Sequence, residues 1–140
     1  MIWKQKFTLE GLNEVSKNTM VTHLGIEFID FGADFLLARM PVDARTIQPM
    51  GLLHGGASAT LAETIGSVAG LMCVDDINTK SVVGVELNCS HLKSARGGYV
   101  YGKVSPVKIG RKIQVWQIDI KDEKERSICV SRLTIMVLDR

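Results

Sequence analysis

From Met50 to Val74 the chain carries a single formally charged side chain, Glu63. No proline and no cluster of turn residues interrupts the run after Gly56, so the pattern predicts one helix that begins at His54 or Gly55 and continues to about Gly70. Its residues are apolar or small on every side. A helix without a polar face has to be wrapped by other elements. A bilayer is excluded as the wrapping, because a mid-helix carboxylate costs about 3 kcal/mol there and no positive-inside flank follows. Abundant Ala, Ser, Thr and Gly suit a core helix that other backbone approaches closely.

Elsewhere the period shortens. Thr8 is placed to cap a short helix over about Leu9 to Lys17, with Leu9, Leu12 and Val15 on one side. Ile26 to Phe31 and Phe35 to Val42 read as a hairpin joined by Gly32-Ala33-Asp34, and the His23 that precedes them is read as a packing or surface side chain. After the polar turn Asp75 to Lys80, the alternation of Val83, Val85, Leu87 and Cys89 with Val82, Gly84, Glu86, Asn88 and Ser90 predicts a strand with one dry face. Tyr99 to Ile109, Lys112 to Lys121 and Arg126 to Leu138 complete four long strands. Their connections are too short for crossover helices, so pairing is antiparallel. The fold class is therefore α+β, an antiparallel sheet curling around one long central helix.

Length and composition then narrow the function. At 140 residues the chain is expected to form one domain. Its 17 basic and 15 acidic residues leave a net charge of +2, too little for a nucleic-acid footprint. Cys73, Cys89 and Cys129 lack CxxC spacing and read as reduced, buried thiols of a cytoplasmic protein. Met1 to Lys6 shows no signal-peptide pattern.

Glu63 is the first candidate for chemistry, since a lone carboxylate in a dry setting is seldom there for packing. His54-Gly55-Gly56 supplies the complement: a helix N-terminus presents unpaired N–H groups and a positive dipole end, which suits an oxyanion or a carbonyl. Eight residues from Gly55 to Glu63 are roughly 12 Å of helix rise. A Glu side chain cannot fold back that far, so the two groups reach one carbonyl only from two chains. The expectation is a two-fold dimer with antiparallel helices. Gln48, in the loop before the helix, is either a hydrogen-bonding amide at the helix mouth or a loop-closing side chain. Two clusters gather cations near strand ends, His91-Leu92-Lys93-Ser94-Ala95-Arg96 and Lys108-Ile109-Gly110-Arg111-Lys112. Beside an apolar channel they suggest a phosphate-bearing ligand. Walker, Rossmann and HExxH patterns are absent, no His pair stands at metal spacing, and Ser58 lacks the second glycine of a nucleophile elbow. No metal, cofactor, nucleic acid or membrane is expected.

Gln48-Pro49-Met50-Gly51-Leu52-Leu53-His54-Gly55-Gly56-Ala57, with Glu63 eight positions after Gly55, resembles the hotdog-fold acyl-CoA thioesterases. The likeness runs from Trp3 to Leu138 and is strongest toward the branch with the Arthrobacter-type 4-hydroxybenzoyl-CoA, phenylacetate-pathway and dihydroxynaphthoyl-CoA thioesterases. The resemblance implies a side-by-side homodimer, usually paired into a tetramer, acting on an acyl-CoA without a cofactor. It implies that Glu63 is the catalytic nucleophile or general base and that Gly55 donates its backbone N–H to the thioester carbonyl. By the same likeness, Gln48 and His54 align the thioester or the water, and Ser67 lines the acyl pocket. Gly84, His91 to Ser94, and Lys108 to Ile113 match segments that hold pantetheine and nucleotide. Met50 stands where several relatives carry an aromatic residue, and Glu125 replaces a common turn glycine. Two alternatives remain: a hotdog dehydratase or hydratase with His54 as its base, and a non-catalytic acyl-CoA sensor, for which the chain has no DNA-binding helix pair.

Overall fold

In the computed structural model, which describes residues 1–140, the long-period and short-period segments become one helix and one sheet. The elements are α1 (Leu9–Val15), α2 (Met20–His23), β1 (Glu27–Phe31), β2 (Leu36–Pro41), α3 (Gly55–Met72), β3 (Lys80–His91), β4 (Tyr99–Ile109), β5 (Ile113–Asp122) and β6 (Ser127–Asp139). Thr8 caps α1 as expected, its hydroxyl accepting from Gly11 N–H at 3.0 Å. The one-turn α2, capped by Thr19, was not legible beforehand, and His23 lies exposed on it. All six strands pair antiparallel in the order β1-β2-β4-β5-β6-β3. This is the hotdog arrangement: β3, which follows the helix, crosses to the edge beyond β6.

Alternation decides which side the helix covers. Leu36, Ala38 and Met40 on β2, Val100 and Val104 on β4, Trp116, Ile118 and Ile120 on β5, and Leu133 and Ile135 on β6 are all buried, and they meet Leu61, Ala62, Ile65 and Ala69 of α3. The helix can sit this close because Gly66 has no side chain, since a methyl there would stand 2.5 Å from Leu133 Cδ2. The largest of the buried polar side chains is Gln114, which accepts from Trp116 Nε1–H at 3.0 Å and donates to the Gly70 carbonyl at 3.4 Å. It is thereby satisfied, as burial requires. The C-terminal end of α3 is closed by the amino-terminal strap, in which Lys4 and Gln5 N–H both donate to Met72 O, and Trp3 stacks edge-on against Phe7.

Two expectations need correction. The dry face of β3 is not Val83, Val85, Leu87 and Cys89, because a bulge between Gly84 and Glu86 shifts the phase by one residue. Val82, Gly84, Leu87 and Cys89 share the helix side, whereas Val83 and Val85 are exposed by 43% and 56%. Nor is Glu63 dry within the single chain, although the sheet curls around α3 as expected. Glu63 and Gly56 are exposed within the chain, and Thr60, Thr64, Ser67 and Leu71 are half-buried. The helix buries one side in its own sheet and leaves a stripe of small and polar residues open.

The β5–β6 turn places Glu125 at φ 63°, with Asp122 N–H donating to Arg126 O and Glu125 N–H to Asp122 O, both at 3.0 Å. A left-handed position suits glycine, whereas a residue with a Cβ is strained there. Glu125→Gly is expected to stabilise the fold by about 1 kcal/mol, measured as a higher urea midpoint at unchanged m-value.

Candidate active site

The amino end of α3 is organised by His54. Its imidazole Nδ1 accepts from Gly56 N–H at 2.7 Å, and its carbonyl accepts from Ala57 and Ser58 N–H at 2.9 and 3.3 Å. Of the amides in that first turn, Gly55 N–H alone has no partner within the chain. It is a single free donor at the positive end of an 18-residue helix. The bond from Gly56 also fixes the imidazole tautomer. Nδ1 must present a lone pair, so the proton of the neutral ring sits on Nε2 and faces outward as a donor.

Gln48 is held by a turn of the same kind as the one at Glu125. Gln48 N–H donates to Leu52 O at 2.8 Å and Gly51 N–H to Gln48 O at 2.9 Å, with Pro49 at the first turn position and Gly51 at φ 79°. The side-chain oxygen Oε1 accepts from Met50 N–H. Gln48 is thus loop-closing through its oxygen, while its Nε2 amide has no partner within the chain. Met50, at the tip, is exposed. Thr46 ties the loop to the helix: its hydroxyl donates to Pro41 O at 2.6 Å, and its carbonyl accepts from His54 N–H at 2.8 Å.

These elements open on a cavity of about 340 Å³ lined by Gln48, Leu52, Leu53, Gly55, Ser58, His91, Leu92, Lys93, Ser94 and Ile128. His91 packs on the helix start, where a methyl at Gly55 would stand 2.9 Å from its Nε2. Lys93 and Ser94 are shared with a second cavity of about 430 Å³ that also takes in Arg96, Lys124 and Arg126. The structure therefore gathers Gln48, His54, Gly55 and the His91 to Arg96 cluster at one end of the chain. Ser58, which lacks the sequence context of a nucleophile elbow, also lines the cavity. Its position three residues after Gly55 was the signal that it shares the cavity face. Ile128 had no such signal, because a bulge opposite Ile120 and Lys121 turns it inward.

The remaining candidates lie elsewhere. Glu63 and Ser67 share a helix face one turn apart, midway along α3. Glu63 is exposed rather than dry, and its carboxylate rests on Gly84 of β3 rather than on the helix mouth. Lys108, Ile109, Gly110, Arg111, Lys112 and Ile113 form the β4–β5 connection, at the opposite end of the eleven-residue β4, roughly 35 Å from the strand's start. One chain cannot bring both cation clusters to one ligand. Two of the three thiols offer no rival nucleophile: burial pushes Cys73 up to about 11 and raises Cys129 as well.

Residues 50–129 match the thioesterase superfamily. The chain is 54% identical over 138 residues to the 1,4-dihydroxy-2-naphthoyl-CoA hydrolase of Escherichia coli, covering 99% of this chain and 100% of that protein. It is 51% identical to the proofreading thioesterase EntH of Cronobacter turicensis, with 99% of each covered. Among solved structures, a thioesterase from Haemophilus influenzae superposes with a TM-score of 0.96 at 52% identity, covering 99% of this chain and 96% of that one. A thioesterase variant from Pseudomonas aeruginosa superposes at 0.98 and 41% identity over the whole of both chains.

The cap assigned to His54 has a separable energetic role. His54→Ala is expected to cost about 1 kcal/mol of stability, and His54→Asn, which restores an acceptor for Gly56 N–H, to recover most of it; chemical unfolding of the two variants makes the comparison.

Proposed function

The chain belongs to the thioesterase superfamily, and from that premise we propose that it hydrolyses an aromatic acyl-CoA to the free acid and CoA, at a site shared by two copies of the chain. The observation that carries the chemistry is the unpaired Gly55 N–H at the start of α3, beside the donor faces of His54 and Gln48. Donors grouped at a helix start suit an oxyanion. One such donor contributes about 3 kcal/mol to the transition state. A thiol leaves with a pKa of about 8.5 and needs no general acid, so donors and one carboxylate are sufficient.

Glu63 supplies the carboxylate, either adding to the carbonyl carbon and expelling the thiolate, or taking a proton from the water that adds instead. It must come from the second copy. Helix rise keeps it roughly 12 Å from Gly55 of its own chain, and the two cation clusters are likewise at opposite ends. An antiparallel pairing across β3 answers both separations at once. Support for that pairing comes from the unpaired edge of the twelve-residue β3, the exposed Val83 and Val85, and the open stripe of α3 around Glu63. In such a dimer the partner's Lys108 to Ile113 connection approaches the His91 to Arg96 end of this chain. The aromatic acyl group rests on the named substrate of the Escherichia coli relative, with Ser67 one turn past the carboxylate to line its pocket. A dehydratase with His54 as base is disfavoured, because the ring's lone pair is held by Gly56 N–H and its outward nitrogen is a donor.

Glu63→Gln is expected to lower kcat on an aromatic acyl-CoA by about 10²–10⁴-fold with the fold intact, while wild-type kcat/KM ranks aromatic above short-chain and long-chain acyl-CoAs in a thiol-release assay. An undiminished kcat would refute the mechanism. The shared site is tested by co-refolding Glu63→Gln with His54→Ala. If each site draws Glu63 from one chain and His54 from the other, the two inactive proteins together recover about one quarter of wild-type turnover. If both groups act within a chain, mixing recovers nothing.

A further inference from the structure

We propose that Gly84 is a positioning residue for the Glu63 carboxylate: its missing side chain, set by the β3 bulge, is the seat on which the carboxylate is held. The inference deepens the proposed function and rests on its assignment of Glu63. Gly84 faces the helix, opposite the fully buried Ile135 of β6. A methyl at Gly84 would overlap Glu63 Oε1 and stand 3.5 Å from the carboxyl carbon, with nothing else in contact. The substitution thus displaces one flexible carboxylate and no core atom. That separates Gly84 from Gly66, whose replacement meets Leu133 and Ile118 in the core.

The bulge is what brings this position to the carboxylate. In unbroken alternation the residues that share a face with Leu87 and Cys89 are Val83 and Val85, and Gly84 points away from α3. The extra residue between Gly84 and Glu86 reverses the phase, so that the residue without a side chain falls beneath Glu63. Glu63 has no hydrogen-bond or ion-pair partner of its own within the chain. Contact with the Gly84 backbone, together with the helix, is what limits where its oxygens stand. Since a misplacement of about 1 Å at a reacting group costs on the order of 100-fold in rate, a glycine here acts on the chemical step and not on substrate affinity.

Steady-state kinetics of Gly84→Ala, Glu63→Asp and the double variant on one aromatic acyl-CoA test the proposal. Gly84→Ala is expected to lower kcat by about 10- to 100-fold with KM held within about twofold. Asp withdraws the carboxylate by one methylene and leaves room for the new methyl. The double variant should therefore be no slower than Glu63→Asp alone, an interaction that independent sites do not show. A rise in KM at unchanged kcat would assign Gly84 to substrate binding, and losses that multiply in the double variant would separate it from Glu63; either overturns the proposal. In a Glu63→Ala background the methyl has nothing to displace, so adding Gly84→Ala should leave Tm unchanged, and a lowered Tm would make Gly84 a strand-building residue instead. Full activity of Glu63→Gln would overturn the catalytic assignment itself, a result distinct from all of these.

Discussion

A helix is a ruler, and α3 keeps the Glu63 carboxylate away from the free amide at its own start. Its hydrogen-bond ladder sets the rise per residue, so no side-chain rotation carries Glu63 to the amide at its own N-terminus. Evolution could have shortened the interval. Instead the sequence keeps the carboxylate midway along, on the stripe the sheet leaves uncovered. In the proposed pair, complementarity comes from outside the chain: an antiparallel copy would set each helix start against the other's midpoint. The exposed β3 edge, the split cation clusters and the polar open stripe are puzzling in a lone chain and coherent in a pair.

Hydrogen-bond accounting at the helix start explains why one donor is left over. The first turn of any helix has amides without helical partners, and here the His54 ring and carbonyl take those of Gly56, Ala57 and Ser58. Had His54 been an apolar residue, two amides would face the cavity and compete for solvent. With a ring nitrogen filling one vacancy, the remaining N–H is isolated and oriented. The same economy governs the Gln48 turn, where the backbone of Met50 occupies the amide oxygen and leaves only the nitrogen to act. Both side chains are donors because their acceptor atoms are already engaged.

Much of this was legible in the chain itself, and the failures have identifiable causes. The long run with a single charge gave α3 almost to the residue, since few structures accommodate so many uncharged residues without a turn. Thr8, the Gly32 hairpin and three of the four long strands followed from capping and alternation. β3 is legible in extent but not in phase: a bulge is a single extra residue, and alternating valines look the same on either side of it. The small and apolar residues around Glu63 predict a dry carboxylate, but in the single chain the sheet covers one side of α3 and leaves Glu63 exposed. The cation clusters were correctly seen as strand ends. That they lie at opposite ends follows only from counting along β4.

Chain order adds a consequence for assembly in time. β3 precedes β4 in the sequence yet hydrogen-bonds to β6, the latest of the strands. During synthesis the helix and the segment bearing Gly84 emerge early and wait for β4, β5 and β6 before that segment has a ladder to join, a long-range closure of the slow kind. The floor beneath Glu63 is thus among the last parts of the sheet to be laid. A nascent chain has no complete seat beneath Glu63 before the whole sheet stands.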